Sequence, residues 1–382
     1  MEFLNAESVF GGGVKKALNA DMRKKTGGGG TAQMRSRVYF LPWEKRGEFY
    51  AFLKKAGIFR HVKARQYLAI KIHFGEEGNK GYVKPEYAAV AVKIAKEKTA
   101  FPFLTDASTI YAGKRSDAYH HLLTADKHGF NVKNCGCPVI IADGLRGNAE
   151  EKIKVDFKHF KEVSVARDIF FSDGFIFLNH FKGHELTGFG GAIKNMGMGC
   201  GSKSGKYAMH HSSKPGVRTE RCIGCGQCVK WCAHNALKLE NKKISIDVSK
   251  CAGCGQCIVS CAFGVFKLDW SDGTVTVQEK IAEYAAAVVK GKKSASINFL
   301  NHISKFCDCF SMAKNPPVME DIGIMAGDDP VAVDQASYDM VNKVYGKNLF
   351  KEMYPELDPC VQLEYAQSLG LGSREYELIL YK

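Results

Sequence analysis

The chain is 382 residues long and 45% hydrophobic, which is enough for two or three domains with a sizeable core. This excludes a disordered chain and a miniprotein stapled by disulfides. The formal net charge is +14, yet no basic run is interleaved with aromatic residues, so we expect no nucleic-acid partner. No apolar stretch approaches the roughly eighteen residues of a membrane span, so we expect none.

The N-terminal sequence MEFLNAESVF has an early glutamate and lacks the apolar centre of a signal peptide. The chain has 14 cysteines, and most of them cluster at the spacing of metal ligands. Free thiols and metal-bound thiolates are typical of a reducing compartment. We therefore expect a cytoplasmic protein.

Residues 1–33 form a glycine-rich N-terminal extension, with glycine runs at 11–13 and 27–30. Between the runs lies VKKALNADMRKK, whose apolar residues are spaced to share one face of a short helix. Two interpretations stay open: a flexible extension without further function, or a helical docking peptide on a glycine tether.

From residue 34 onward, short apolar segments alternate with segments of helical periodicity. The strand-like segments are YLAIKIHF, FPFLTDAS, CPVIIADG and DGFIFLNHF, and the helical ones include KPEYAAVAVKIAKEK and SDAYHHLLTADKHG. Such alternation predicts an α/β domain with a mostly parallel sheet.

Polar residues follow several of these predicted strands. They are His73, Asp106, Asp143, Asn179 and His180. In open α/β sheets, ligands bind outside the carboxyl ends of the strands. These residues are therefore candidates for a site, although each would also serve as a helix cap or turn residue.

Residues 179–211 are rich in glycine, histidine and lysine. A nucleotide triphosphatase is excluded, because the spacing of Gly201 and Gly205 does not fit a phosphate-binding P-loop. A basic glycine-rich loop can still bind an anion or a cofactor through its backbone amides. We predict catalytic roles for Lys182, His184 and Lys194, and cofactor contacts for Gly190, Gly191, Asn195 and His73. The alternative is that the glycines only form turns beside the sheet.

Residues 218–270 contain an internal repeat. RCIGCGQCVKWCAHNALKL and KCAGCGQCIVSCAFGVFKL are identical at ten of nineteen positions, at an offset of 29 residues. Each copy reads C-x2-C-x2-C-x3-C, the pattern of bacterial ferredoxins that carry two [4Fe–4S] clusters.

In that pattern, the fourth cysteine of each run binds the cluster held by the other run. The first predicted cluster is therefore held by Cys222, Cys225, Cys228 and Cys261, and the second by Cys251, Cys254, Cys257 and Cys232. Zinc and disulfides are the alternatives, but zinc sites usually combine two separated C-x2-C pairs. Ala233 and Ala262 stand where the ferredoxin pattern usually has proline, which changes the turn but removes no ligand.

After the repeat, the helical segment VQEKIAEYAAAVVKGK and the strand-like SASINFLNHIS resume the α/β pattern. We therefore predict a discontinuous α/β domain, residues 34–217 and 271–382, with an inserted α+β ferredoxin-like module at 218–270. The extension at 1–33 stands apart.

A second kind of cysteine pattern appears in KFCDCFS, where Cys307 and Cys309 flank Asp308. Alternate residues of a strand point to opposite faces, so the two thiols can bind one metal ion only if the segment is a loop. Asp308 is expected to cap such a loop. We predict a third metal or redox-cofactor site at Cys307 and Cys309, with His73, His184 or Cys200 as further ligands. For Cys135, Cys137 and Cys360, the expectation is buried free cysteine.

Several segments resemble the domain of unknown function 362 family: IHFGEEGN, DASTIYAGKR, FKGHELTGFGGAIKNMGMGCGSKSGK, FCDCF and GDDPVAVDQA. The resemblance spans roughly residues 38–345. It implies an α/β domain combined with a ferredoxin-type module, and it implies no particular reaction.

Together these patterns predict an iron–sulfur oxidoreductase in which two clusters pass electrons to a site in the α/β domain. The site would bind an anionic small molecule, and an acidic electron-transfer protein such as flavodoxin or ferredoxin would be the redox partner. Two alternatives stay open: an electron carrier without catalytic chemistry, and an accessory protein that handles metal or clusters. The sequence leaves the substrate and the direction of electron flow open.

Overall fold

The structure, a computed structural model, describes residues 35–111, 113–210, 215–232, 235–251, 256–261, 263–267, 273–309 and 315–382. The extension at 1–33, Cys254, Ala233 and Ala262 lie outside these ranges. Within these ranges, every helix is too short or too polar to cross a bilayer.

The described residues contain strands and helices in alternation. The strands are β1 (Ser36–Pro42), β2 (Tyr67–Ile72), β3 (Phe101–Asp106), β4 (Val139–Ile141), β5 (Glu150–Lys154), β6 (Glu162–Ala166), β7 (Gly174–His180), β8 (Lys182–His184), β9 (Gly188–Gly190), β10 (Gly216–Val217), β11 (Leu237–Glu240), β12 (Lys243–Ile246), β13 (Phe266–Lys267), β14 (Lys293–Leu300), β15 (Gly323–Gly327) and β16 (Tyr376–Leu380). The α-helices are α1 (Phe49–Lys55), α2 (Pro85–Glu97), α3 (Ala118–Lys127), α4 (Val132–Cys135), α5 (Arg167–Phe170), α6 (Ala192–Cys200), α7 (Lys203–His210), α8 (Gln227–Lys230), α9 (Gln256–Ser260), α10 (Thr274–Val289), α11 (Pro330–Tyr345), α12 (Leu349–Met353) and α13 (Val361–Ser368). Short 3-10 helices lie at Trp43–Glu48 and Thr219–Arg221.

Eight of these strands form one mixed sheet in the order β16-β1-β15-β14-β7-β2-β3-β4. The neighbours from β14 through β7, β2 and β3 to β4 all run parallel, and β16 runs parallel to β1. Among the described strands of this sheet, only β15 is antiparallel to its neighbours, β1 and β14. The predicted α/β fold with mostly parallel strands is therefore confirmed.

The middle strand β7 shows why this sheet is covered on both faces. Phe175 and Phe177 pack into the apolar layer on one side, whereas Ile176 and Leu178 pack into the layer on the other. Side chains alternate across a strand, so a run without polar residues must be buried on both faces. The polar residues of β7 come only at its carboxyl end.

The cysteine-rich segment forms small elements of its own. β10 pairs with β13 and β11 pairs with β12, both antiparallel. A small apolar cluster, separate from the two layers of the large sheet, includes Cys228, Leu237, Ile244, Cys257 and Phe266. The ferredoxin-like assignment of this segment stays a prediction.

The glycine-rich segment is more ordered than the loop we expected. Residues 182–190 form the β8–β9 hairpin, and α6 and α7 follow at once. The helix α6 packs against α10 and α11, so glycines on it permit close contacts between helices. A Cβ at Gly197, for example, would lie 2.2 Å from the backbone oxygen of Ile281.

Candidate functional site

The carboxyl ends of β2, β3 and β7 bring the predicted polar residues to one edge of the sheet. His73 directly follows β2, Asp106 ends β3 and His180 ends β7. The loop after β14 reaches the same edge and carries Cys307 and Cys309. His73, Asp106 and His180 therefore lie where the sequence placed them, at the carboxyl ends of parallel strands.

Cys307 and Cys309 point toward each other. Their Sγ atoms are 3.2 Å apart, and the segment is a turn rather than a strand. His73 Nε2 lies 3.5 Å from Cys309 Sγ, and Lys194 Nζ lies 3.8 Å from Cys307 Sγ. Three segments distant in sequence therefore meet at this sulfur pair.

The two thiols differ in acidity. The hydrogen bond from Cys307 lowers the pKa of Cys309 well below its ordinary value, against the effect of burial, and His73 and Lys194 lower it further. The same hydrogen bond, together with burial, raises the pKa of Cys307 well above its ordinary value. Cys309 is therefore the more acidic thiol of the pair, and Cys307 is the one that keeps its proton longer as the pH rises.

Lys194 is the cation nearest to the pair. Burial alone would lower its pKa, but the charges of Cys307 and Cys309 outweigh burial and raise it. Lys194 therefore stays protonated beside the thiolate.

Asp308 does not cap the loop as we expected. Its buried carboxylate pairs with His180 Nδ1 at 2.8 Å and lies 3.9 Å from Lys182 Nζ. Burial would raise the pKa of Asp308, but His180 and Lys182 lower it overall. Its backbone oxygen accepts a hydrogen bond from Glu76 N at 3.2 Å. Asp308 thus anchors the cysteine loop to β7 and to the segment after β2.

Two residues of this site, Arg115 and Tyr111, were missed from the sequence. Arg115 is buried and pairs with Asp106 at 3.5 Å and with Glu76 at 3.3 Å. Burial would lower the pKa of Arg115, but Cys309 and Asp106 raise it, and its Nη2 has no hydrogen-bond partner among the described residues. Burial and the nearby Cys309 raise the pKa of Tyr111. Both residues lie in DASTIYAGKR, the segment at the end of β3. Their position after a predicted strand is the feature of the sequence that could have identified them as site residues.

Lys182 and His184, predicted as catalytic, lie on β8 and are buried. Burial, and then the charge of Lys194, lower the pKa of His184 well below its ordinary value. His184 is therefore neutral at pH 7, where it can accept a proton but does not exchange one by titrating near that pH.

The predicted cofactor contacts of Gly191 and Asn195 have other partners here. Asp334 accepts hydrogen bonds from the backbone N–H groups of Ala192 and Ile193 at 2.7 and 2.9 Å. A Cβ on Gly191 would lie 2.2 Å from Asp334 Oδ1, so the chain's own carboxylate occupies the start of α6. Asn195 bridges Lys71 and Asn179, each at 2.8 Å. The backbone amides of Ala192 and Ile193 are therefore not free to hold an external anion.

Gly190, the remaining glycine of that prediction, lies beside the lysines of the site. A Cβ there would be 3.0 Å from Lys194 Cδ and 3.5 Å from Lys182 Nζ. Its lack of a side chain leaves room for both lysines near the sulfur pair.

Of the three proposed partners of Cys307 and Cys309, His73 is in contact with Cys309. His184 is close enough for the charge of Cys309 to affect its pKa. Cys200 is not brought to the pair: its Sγ donates to Asn195 O, and burial raises its pKa to about 11. No group of three or more His, Cys, Asp or Glu side chains in the described ranges is arranged to hold one metal ion.

The other C-x-C pair is buried as expected. Cys135 Sγ donates to Pro85 O and Gly129 O, at 3.8 and 3.7 Å. Burial raises the pKa of both Cys135 and Cys137, the latter to about 11. Cys360 is half-buried, and burial raises its pKa as well.

A partly open pocket lies in the cysteine-rich segment. Four cysteines line it: Cys222, Cys225, Cys228 and Cys261. The rest of its lining is mainly apolar. Burial, and then the proximity of Cys261 and Cys225, raises the pKa of Cys228 to about 11. Elsewhere in the segment, Ala236 N donates to Cys232 Sγ at 3.2 Å.

Two solved structures that match the chain share little sequence with it. No curated protein matches it. The lactate racemase apoprotein from Thermoanaerobacterium thermosaccharolyticum is 10% identical with a TM-score of 0.33, over 46% of this chain and 41% of that one. A crystal structure of a protein from Thermotoga maritima is 12% identical with a TM-score of 0.36, over 81% of this chain and 59% of that one. The chain thus spans less than two thirds of either structure.

A family model, by contrast, matches most of the chain. The match runs over residues 68–339, from β2 to α11, and includes the cysteine loop, Lys194 and the cysteine-rich segment. The chain therefore belongs to the family described as Domain of unknown function (DUF362).

Proposed function

We propose that this chain is an iron–sulfur oxidoreductase. Two [4Fe–4S] clusters in residues 218–270 exchange electrons with the site around Cys307 and Cys309, where an anionic substrate binds. The pocket lined by four cysteines is the observation that supports this proposal most strongly.

That pocket combines ligands from both copies of the repeat. Cys222, Cys225 and Cys228 come from the first copy, and Cys261 is the fourth cysteine of the second. The ferredoxin pattern requires this interlocked set. Each iron of a cubane takes one thiolate, so the ligands surround a space instead of converging on one point. The apolar lining and the amide donated to Cys232 also suit clusters, because both tune their reduction potentials.

The cysteine-rich segment touches the helix that leads toward the site. The helix α9, which carries Cys257, contacts α7. At the end of α7 lies His210, whose charge is among those that lower the pKa of His184, after burial and Lys194. When bound, the clusters would supply single electrons, and α9 contacts the α/β domain at α7.

At the sheet edge, three cations surround the sulfur pair. Lys194 and Arg115 are held protonated by the thiolate charge, and Lys182 lies beside Asp308. In a buried setting such cations attract an anion strongly. The neutral His184 next to them can accept a proton from the bound molecule.

The test is metal analysis of protein purified without oxygen. Wild type should contain about eight irons and eight sulfides per chain, with visible absorption that bleaches on dithionite. Cys261→Ser should lose about half of the iron and one of the two cluster signals in EPR. Cys225→Ser, which changes an exposed ligand of the same pocket, should do the same.

Cys360→Ser is the matched control, because this half-buried cysteine lies outside the repeat and should leave the iron content unchanged. Zinc in place of iron, or full iron content in both pocket variants, would contradict the proposal.

A further inference from the structure

We propose that Cys307 and Cys309 form a reversible dithiol–disulfide couple that exchanges with an anionic disulfide substrate. This goes beyond the proposed function, because it assigns the chemistry at the sulfur pair to the thiols themselves. It rests on the proposed function only for the clusters as a source of electrons.

The distance between the sulfurs carries the inference. Their separation of 3.2 Å is about 1 Å longer than a disulfide bond of roughly 2.05 Å. Neither cysteine belongs to a strand, since the pair lies between β14 and β15, so closing this gap breaks no hydrogen bond between strands. A disulfide between residues so near in sequence closes a small strained ring, which makes it readily reducible.

The two sulfurs differ in access, which assigns their order of reaction. Cys307 is 1% exposed, whereas Cys309 is only partly buried. Cys309 is also the sulfur in contact with His73. Cys309 is therefore the attacking thiolate and Cys307 the resolving thiol.

The exchange balances without any further reactant. The Cys309 thiolate attacks one sulfur of an external disulfide, and the first leaving thiolate departs. The thiol of Cys307 then attacks Cys309 Sγ, the second leaving group departs, and the proton of Cys307 passes to a released thiolate. Two electrons move from the pair to the external disulfide. In the reverse sense, two external thiols reopen the internal disulfide and leave as a disulfide. Two electrons, one from each cluster of the proposed function, together with one proton from solvent would reopen it to one thiol and one thiolate as well.

The charges around the pair select the substrate. Lys194 Nζ lies 3.8 Å from Cys307 Sγ, and the buried Arg115 has an unpartnered Nη2 among the described residues. Lys182 lies near by, beside Asp308. A disulfide that carries carboxylates is therefore favoured over a cationic one.

The other C-x-C pair of the chain provides an internal control. Cys135 and Cys137 are both buried, and Cys135 Sγ donates to two backbone oxygens instead of to its neighbour. This pair therefore has the same C-x-C spacing but lacks the contact between sulfurs that favours exchange.

The experiment uses the full-length protein, equilibrated without oxygen in glutathione buffers of increasing oxidised fraction. Each sample is quenched with acid, alkylated under denaturing conditions and digested with trypsin. Cleavage after Lys305 and Lys314 leaves both cysteines on one peptide. We expect this peptide to lose both alkyl groups and the mass of two hydrogens as the oxidised fraction rises, and to recover them with dithiothreitol. The peptides that carry Cys135 and Cys137 should stay alkylated.

The charge preference is tested with two probes, oxidised glutathione and cystamine, each normalised to its reaction with the denatured chain. Oxidised glutathione should react faster, and Lys194→Met should slow it by about tenfold while affecting cystamine far less. Equal effects on both probes would remove the anionic-substrate part of the proposal.

A peptide that remains fully alkylated in every buffer, or that carries only a mixed glutathione adduct, would overturn the dithiol couple. This readout does not depend on iron. If no disulfide forms and the iron content is full, the iron–sulfur proposal stands and the dithiol proposal fails. If the disulfide forms and the iron is absent, the dithiol proposal stands and the iron–sulfur proposal fails.

Discussion

The two thiols of one tripeptide have opposite shifts in acidity. Cys307 and Cys309 have the same side chain and nearly the same position in the chain. What distinguishes them is their neighbours, because His73 contacts Cys309 while Cys307 donates its proton toward Cys309. One negative charge shared between two sulfurs is more stable than two charges at this distance.

This asymmetry predicts how the thiols react with an alkylating reagent. Because only the thiolate reacts, a cysteine with a lowered pKa reaches its full alkylation rate at a lower pH than an ordinary thiol. The alkylation rate of Cys309 should therefore level off at a lower pH than that of an ordinary thiol. The half-buried Cys360, whose pKa burial raises, should react slowly at pH 7 and about tenfold faster per pH unit. Competitive labelling followed by peptide mapping measures both rates in one sample.

His73→Ala is the check on the cause. It removes a neighbour that lowers the pKa of Cys309, so the pH at which the labelling rate levels off should rise. If the labelling rate of this variant depends on pH as it does in the wild type, His73 does not set the acidity of Cys309.

The sequence identified most residues of the site but not their roles. Cys307 and Cys309 could be predicted because thiols are visible in a sequence, His73 because it follows a strand, and Lys194 because it lies in a basic glycine-rich segment. The pairing of Asp308 with His180 could not, because it depends on a loop and a strand that lie 128 positions apart. Arg115 was missed because a single arginine after a strand looks like a solvated surface residue.

Among the elements, the helix α6 shows how a glycine-rich motif can serve packing. The carboxylate of Asp334, from α11, caps the first amides of α6 and also accepts from Asn298 Nδ2 at 2.7 Å. Burial raises the pKa of Asp334 to about 6. Gly191 allows this carboxylate to approach, so its role is fixed by a contact between two elements.

We expect Gly191→Ala to destabilise the protein by about 1–3 kcal/mol, because the added methyl group would overlap Asp334 and push it from the helix start. Gly47→Ala is the matched control: a methyl group added there would have nothing within 4 Å, so little change is expected. Urea unfolding followed by circular dichroism measures both variants. Equal stability of the two would show that the start of α6 tolerates the group, and that Gly191 is available for another role.

The elements themselves were predictable where their pattern is long and regular. The helices α2 and α10 and the strands β2, β3, β7 and β14 follow from periodicity and apolar runs. The strand β15 could not be predicted in this way, because GIMAG has two glycines and only one β-branched residue. It is fixed by hydrogen bonds to β1 and β14, so its position depends on tertiary contacts.

At the scale of the whole molecule, the site requires both parts of the α/β domain. His73 and Lys194 precede the cysteine-rich segment, whereas Cys307 and Cys309 follow it. They meet because β14 pairs in parallel with β7, which itself pairs with β2. A single sequence does not reveal such strand order, so the sequence could name His73 only as one of three candidate partners of the sulfur pair.

The overall charge of the molecule predicts how it meets a redox partner. The formal charge of +14 falls to about +10 if two oxidised clusters contribute about −2 each. A strongly basic protein attracts an acidic one over a distance set by the ionic strength. Reduction by flavodoxin should therefore be fast at low salt and should slow at least about tenfold between roughly 0.01 and 0.5 M salt.

Stopped-flow absorbance of the clusters, recorded without oxygen, measures this rate. A small reductant of no net charge is the control, because its encounter rate does not depend on the protein's charge and should change little over the same salt range. Salt acts on the encounter and not on the transfer of electrons within the chain, so the control also shows whether the clusters themselves tolerate the salt. A rate with flavodoxin that is independent of salt would mean that the basic residues serve solubility, and that the physiological partner is not selected by charge.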